Sequence, residues 1–250
     1  MWSAESRQNG FRKVFGMKTR LPLIVVFLAA FSTFVLPQVS KPGGGSELER
    51  VLVSMDHASE NFRTAQADFI WEQFQQVVNE TDVQKGVIYF RRQSKDVQMA
   101  ADIRDPDSKY VLYADEKVRV YQPRIDQVTE YSAGKNKQDF ESFLVLGFGA
   151  RGHDLLRSFD VSYAGSEQIQ GQAASKLTLV PKSDRARGMF NKILLWIDPV
   201  RGVSVQQQFL EPSGDFRMCH YSNIKINASQ PENAFKLRTT GKTKTVRPQG

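Results

Sequence analysis

From Ala65 onward the period of the apolar side chains is two: Ala67, Phe69 and Trp71 share one face, with Asp68 and Glu72 opposite. Alternation of this kind predicts half-buried β-strands. A first strand runs from Ala65 towards Val78, and Asn79-Glu80-Thr81-Asp82 turns the chain. Strands over Val87–Arg92, Val97–Ile103, Tyr110–Ala114 and Lys117–Tyr121 follow, separated by Arg104-Asp105-Pro106-Asp107 and Gln122-Pro123-Arg124. Turns this tight force neighbouring strands antiparallel. After a polar loop from Ser132 to Gln138, a short amphipathic helix is expected over Asp139–Leu146, and a further helical turn within His153–Phe159. Strands resume at Val161, Lys176–Val180, Ile193–Asp198, Val203–Leu210 and Arg217–Ile226, the last two joined through Pro212-Ser213-Gly214-Asp215. A sheet of this width must curl or close, because flat sheets leave long unpaired edges.

Before the strands the period is helical. Leu48, Val51, Leu52, Met55, Ala58 and Phe62 recur at spacings of three and four, so a helix is expected over Glu47–Phe62, with Ser46 as N-cap and Glu49 completing a capping box. Its apolar stripe needs a surface to cover, and helices of this kind can plug the mouth of a curled sheet. Upstream, Lys41-Pro42-Gly43-Gly44-Gly45-Ser46 has linker composition. Further upstream still, Arg7, Arg12, Lys13, Lys18 and Arg20 precede the apolar run Leu21–Ala29 and the small-residue site Ala30-Phe31-Ser32. Charge, apolar core and cut site in that order define a signal peptide. The expected organisation is a signal peptide over 1–32, a linker over 33–46, a β-rich domain over 47–240 and a basic tail over 241–250. Met17 is a possible alternative start, and an uncleaved anchor stays open because apolar residues continue to Leu36.

Charge adds little. The formal net charge of +7 includes five Lys/Arg against one Asp/Glu in residues 1–40, which leaves 29 against 26, about +3, for the rest. Apart from Lys242, Lys244 and Arg247 the excess is dispersed, and nucleic-acid binding has little support. Cys219 is the single cysteine, so no disulfide can form within the chain and packing must supply the stability. It reads as a small core hydrophobe on a strand.

No catalytic constellation emerges. Gly147-Phe148-Gly149-Ala150-Arg151-Gly152 spells the dinucleotide fingerprint but lacks the parallel strand–helix–strand context, and reads as a flexible link between helices. His57, His153 and His220 have no metal-ligand spacing, so neither metal nor cofactor is expected. Cys219 and His220 face opposite sides of a regular strand, which rules out a ready dyad. The chain is not expected to be an enzyme.

What remains is a set of large apolar side chains: Phe69, Trp71, Val97, Met99, Val118, Val120, Phe159, Val161, Tyr163, Leu194, Trp196, Phe209 and Met218. All could face the concave side of one curled sheet. Periodicity alone does not separate a cavity from a filled core.

Several segments, in order and spacing, resemble the periplasmic outer-membrane lipoprotein carrier family, the LolA type. They are Phe62-Arg63-Thr64 closing the first helix, Gly86-Val87-Ile88-Tyr89-Phe90-Arg91-Arg92, and Tyr113–Val128 with its Val118-Arg119-Val120-Tyr121-Gln122-Pro123. Ser175–Lys182, Leu195-Trp196-Ile197-Asp198 and Phe235-Lys236-Leu237 follow. The resemblance implies a mainly β fold with helices: a curled antiparallel sheet forming an incomplete barrel, lidded by short α-helices, with an apolar cavity for acyl chains lined by the residues above. In the family an arginine after the second strand bonds the closed lid. By position this is Arg92, with Arg91 as the runner-up, although Gln93–Gln98 replaces the family's usual proline and aromatics.

The implied activity is a monomeric periplasmic carrier. It would take lipoproteins, or other lipids, from an inner-membrane releasing complex to an outer-membrane acceptor. The alternative is a lipid- or lipoprotein-sensing regulatory module, tethered if the leader stays. Three sixteen-carbon chains taken from water at about 0.8 kcal/mol per CH₂ would gain roughly 35–40 kcal/mol, against a ceiling near 20 for non-covalent binding. A carrier that must release its cargo therefore needs an imperfect cavity, with lid opening offsetting part of the burial.

Overall fold

The computed structural model describes residues 44–94, 96–132 and 146–248. The signal-peptide segment, most of the linker and nearly all of the helix expected over Asp139–Leu146 lie outside them.

Helix α1 spans Gly44–Glu60 and buries Val51, Leu52 and Met55 on one stripe. It starts two residues before the expected N-cap, so Ser46 is helical and residues 44–46 belong to the helix, not to a linker. The chain then enters β1 (Thr64–Gln75) and the meander β2 (Glu80–Gln93), β3 (Asp96–Asp105), β4 (Lys109–Ala114), β5 (Lys117–Gln122) and β6 (Gln127–Ser132). The first hairpin turns earlier than expected, at 76–79. Asn79 takes the left-handed conformation (φ 53°), and Glu80–Asp82 already pair with Gln73–Gln75. A short helix α2 (Gly152–Ser158) precedes the second meander: β7 (Phe159–Ile169), β8 (Gln172–Pro181), β9 (Lys192–Ile197), β10 (Ser204–Leu210) and β11 (Phe216–Ile226). Between β8 and β9 lies a one-turn helix, α3 (Asp184–Met189), absent from the sequence-based expectation. Its start is marked by Ser183, whose hydroxyl accepts the Ala186 N–H at 3.2 Å.

The strands form one twelve-stranded sheet in the order β12-β6-β5-β4-β3-β2-β1-β11-β10-β9-β8-β7, where β12 is Lys244–Val246. β1 is the seam: it pairs with β2 on one side and with β11 on the other, joining the two meanders. The outer strands do not meet, so the curled sheet is an incomplete barrel. The supposed basic tail is also structural. β12 pairs in parallel with β6, Thr240 and Thr243 donate to the Asp126 carboxylate at 2.6 Å, and Arg247 Nε donates to Glu130 at 3.0 Å.

Both faces of the sheet carry apolar residues. On the inner face, Ala65, Ala67 and Phe69 of β1 meet Phe90, Met99, Tyr113, Cys219 and Tyr221. Farther round, Leu177, Leu179, Ile193, Leu195 and Phe209 pack beneath α1. On the outer face, Val87, Tyr89, Tyr110, Leu112 and Tyr121 are covered by Ala234, Phe235 and Leu237, and the Tyr110 hydroxyl bonds the Ala234 carbonyl. Burial raises the Cys219 thiol to about 12, so it is an inert core residue.

Candidate functional site

The inner face already holds an occupant from its own chain. Leu146 and Phe148, both without solvent exposure, project from the turn at 146–149 into the two halves of the apolar interior. The Phe148 ring stacks on Phe90 at 4.7 Å between centroids and meets Tyr221 edge-on at 5.0 Å. This segment is a plug, and its glycines explain how it fits. Gly147 and Gly149 both have positive φ (75° and 80°), and a Cβ would strike Ser204 at the first and the Phe62 ring at the second. The fingerprint-like sequence is therefore a close-packed insertion and not a flexible link.

Three carbonyls of the plug have donors. Gln207 Nε2 bonds the Leu146 carbonyl, the Ser204 N–H donates to Gly147 O at 2.9 Å, and Gly149 O accepts from Arg92 Nη2 at 2.6 Å and from the Ser59 hydroxyl at 2.9 Å. Arg92 also lies 3.4–3.5 Å from the Ser59 hydroxyl and carbonyl at the end of α1, with its guanidinium 5.8 Å from the Phe62 ring centre. Of the two arginines the resemblance offered, Arg92 is the one that reaches the plug. Arg91 points to the other face, where it donates to Gln98 at 2.7 Å and sits over the Phe235 ring at 4.1 Å.

The plug continues into α2, which docks on α1 through a charged cluster that the sequence did not single out. His153 Nδ1 lies 2.6 Å from Asp56, its Nε2 lies 3.4 Å from Glu49, and Arg151 approaches Asp56 at 3.7 Å. The hydrogen bond to Asp56 raises the His153 pKa against the opposing effect of desolvation, helped by Glu49. Burial pushes the Asp56 carboxyl upward, but the hydrogen bonds and charge of His153 outweigh it and leave the group below its usual value. Among the described residues no group of three or more His, Cys, Asp or Glu side chains could hold a metal ion.

The thirteen apolar residues expected on one concave face divide. Phe69, Trp71, Val97, Met99 and Val118 belong to the inner cluster around Phe148. Val120 shares the strand face of Val118. Phe159, Val161, Tyr163 and Phe209 line the half beneath α1. Leu194 and Trp196 lie on the opposite face, against Ala174 and Val205, with the Trp196 indole N–H donating to Glu167 at 2.6 Å. Ile193, Leu195 and Ile197 take the inner positions of β9 instead. Met218 is likewise on the outer side, since its neighbour Cys219 points inward. Residues not anticipated are Phe148, Leu146, Gln207, Ser204 and Tyr221. One cleft of about 380 Å³ lies between the β2–β3 and β4–β5 turns, beside Val97, Tyr113 and Glu116.

The structure is thus an incomplete barrel with an apolar inner face, covered by helices and filled in part by a plug from its own chain. Over residues 60–238 the chain matches the family of the outer membrane lipoprotein carrier protein LolA, and it belongs to that family. No curated protein matches it in sequence. Among solved structures, an uncharacterized conserved protein from Thermus thermophilus is 14% identical with a TM-score of 0.51, over 81% of this chain and 99% of that one. MucB is 15% identical with a TM-score of 0.50, over 78% of this chain and 64% of that one. The Pseudomonas aeruginosa MucA/MucB complex matches at 15% identity and a TM-score of 0.48, over 76% of this chain. The chain spans 61% of the length of the matched chain in that complex. Among the described residues no helix is long and apolar enough to cross a membrane.

Proposed function

We propose that this protein is a non-enzymatic periplasmic carrier that takes up the acyl chains of lipoproteins, or of other lipids. It moves them from an inner-membrane releasing complex to an outer-membrane acceptor. The observation that carries the proposal is the plug: an apolar interior whose occupants, Leu146 and Phe148, sit on a short glycine-flanked turn held by hydrogen bonds.

Magnitudes support displacement. Burying one leucine and one phenylalanine contributes about 3–6 kcal/mol, whereas a single sixteen-carbon chain gains about 13 kcal/mol. One acyl chain therefore outweighs the plug, and the plug's return offsets part of the affinity and helps release. Transfer then follows differential affinity along donor, carrier and acceptor, with no covalent step.

The test is gentle isolation from the periplasmic fraction followed by lipid extraction and mass spectrometry. Acyl lipid in stoichiometric amount is the expected result; consistently empty protein that also fails to take up added lipid would count against the proposal. The fold is shared with MucB, and this favours a second reading, a lipid- or lipoprotein-sensing regulatory module. Sequencing the mature N-terminus separates the two, because a tethered sensor retains the apolar run 21–36 and a free carrier does not.

A further inference from the structure

The inner face of β10 carries polarity that an acyl container does not need. Ser204 and Gln207 are buried, at 0% and 5% exposure, and Gln207 occupies an inward position between the apolar clusters. A primary amide buried there is costly unless each of its groups is bonded. Both are. The Tyr221 hydroxyl, itself buried, donates to Gln207 Oε1 at 3.2 Å, which turns Nε2 towards the plug, where it meets the Leu146 carbonyl. One peptide further on, the Ser204 N–H meets the Gly147 carbonyl at 2.9 Å.

The plug thus presents two features to the barrel: apolar side chains, Leu146 and Phe148, and, beside them, backbone carbonyls on fixed donors. A lipid carrying acyl chains through ester or amide links presents the same two features in the same order, hydrocarbon next to carbonyl. We propose, building on the carrier function above, that the plug is an internal stand-in for the ligand, and that Gln207 Nε2 and the Ser204 N–H are the groups that receive the cargo's acyl carbonyls once the plug withdraws. A ligand made only of hydrocarbon would leave both donors buried and unpaired. An acyl ester or amide pairs them again. The site therefore selects acyl lipids over ether lipids of equal chain length, and Tyr221 acts as a positioning residue that fixes which end of the Gln207 amide faces the ligand.

The experiment compares two lipids that differ at the carbonyl: 1-palmitoyl-lysophosphatidylcholine and its 1-hexadecyl ether analogue, titrated into the mature protein by calorimetry below their micelle concentrations. The expected result is a preference of about three- to tenfold for the ester, the worth of one or two neutral hydrogen bonds. In Gln207→Leu the preference should narrow to less than half its wild-type value, because the ether lipid no longer strands a buried amide and binds more tightly, while the Ser204 N–H remains to receive the ester carbonyl. Equal affinities in the wild type, or a preference as large in Gln207→Leu as in the wild type, would overturn the assignment while leaving the carrier function standing. Binding of neither lipid would overturn the carrier function and this site with it. If Gln207→Leu does not melt as a folded protein, Tyr221→Phe, which frees the amide to flip, supplies the second variant and should narrow the preference.

Discussion

His153 sits where the two lid helices meet, with Asp56 on one ring nitrogen, Glu49 near the other, and Arg151 completing the set. Its raised pKa makes the docking of α2 on α1 pH-dependent. Because the folded value lies above the unfolded one, the stabilisation is full below about pH 6.5 and is lost as pH rises through the folded value. Asp56 works in the opposite sense: its lowered pKa gives stabilisation that is present above the ordinary carboxylate value and lost in acid. Thermal melting across pH 5.5–8.5 should show stability declining with rising pH in the wild type and a flatter profile in His153→Gln; identical slopes would remove His153 from the interface. The same scale shows what the sequence could and could not decide. Arg91 and Arg92 are adjacent on a strand and must face opposite sides, yet β2 is apolar on both faces, Val87 and Tyr89 outward and Ile88 and Phe90 inward. Alternation fixed that the two diverge without fixing which goes in. Leu194 and Trp196 were misassigned for the same reason, since Ile193–Ile197 is one unbroken apolar run with both faces covered.

At the scale of elements, β3, β4, β5, β9, β10 and β11 were legible to within two residues, whereas β2 begins seven residues before the expected strand, β6 was not expected as a strand, and elements defined by distant partners were not legible. β12 is three residues in a basic stretch, and nothing local announces that it will pair in parallel with β6, more than a hundred residues earlier. Its contribution is nonetheless specific. Arg247, Arg119 and Lys117 together hold the Glu130 carboxyl down to about 2, and the hydroxyls of Thr240 and Thr243 lower Asp126 against its partial desolvation. Without residues 240–250, β6 becomes an unpaired edge. A chain ending at Thr239 is expected to keep the barrel, whose clusters lie elsewhere, but to lose amide protection across Gln127–Ser132. Hydrogen–deuterium exchange reads this directly, and protection equal to that of the full chain would show that β12 contributes nothing to the edge. The plug was missed by a similar logic. The sequence around it, Gly147–Gly152, has the composition of a loop, and only the close approach of Ser204 to Gly147 and of Phe62 to Gly149 reveals packing.

For the molecule as a whole, the plug links the two halves of the interior: Leu146 packs with the cluster beneath α1 and Phe148 with the cluster around the β1 seam. If the protein carries lipid as proposed, the lipid-free state is stabilised by the same surface that cargo would cover, and stability and uptake are opposed. Phe148→Ala separates them. Truncating a fully buried phenylalanine costs about 3–5 kcal/mol, so the lipid-free variant should melt well below the wild type. Any ligand that binds only the folded state raises stability by RT ln(1 + [L]/Kd), and a variant whose site is already vacated binds the same lipid more tightly. Added lysolipid should accordingly raise the melting temperature of Phe148→Ala by more than it raises that of the wild type, closing part of the gap as concentration increases. Equal shifts at every concentration would mean that lipid and Phe148 occupy different places, and the interior would then be a core that the plug completes and no ligand enters.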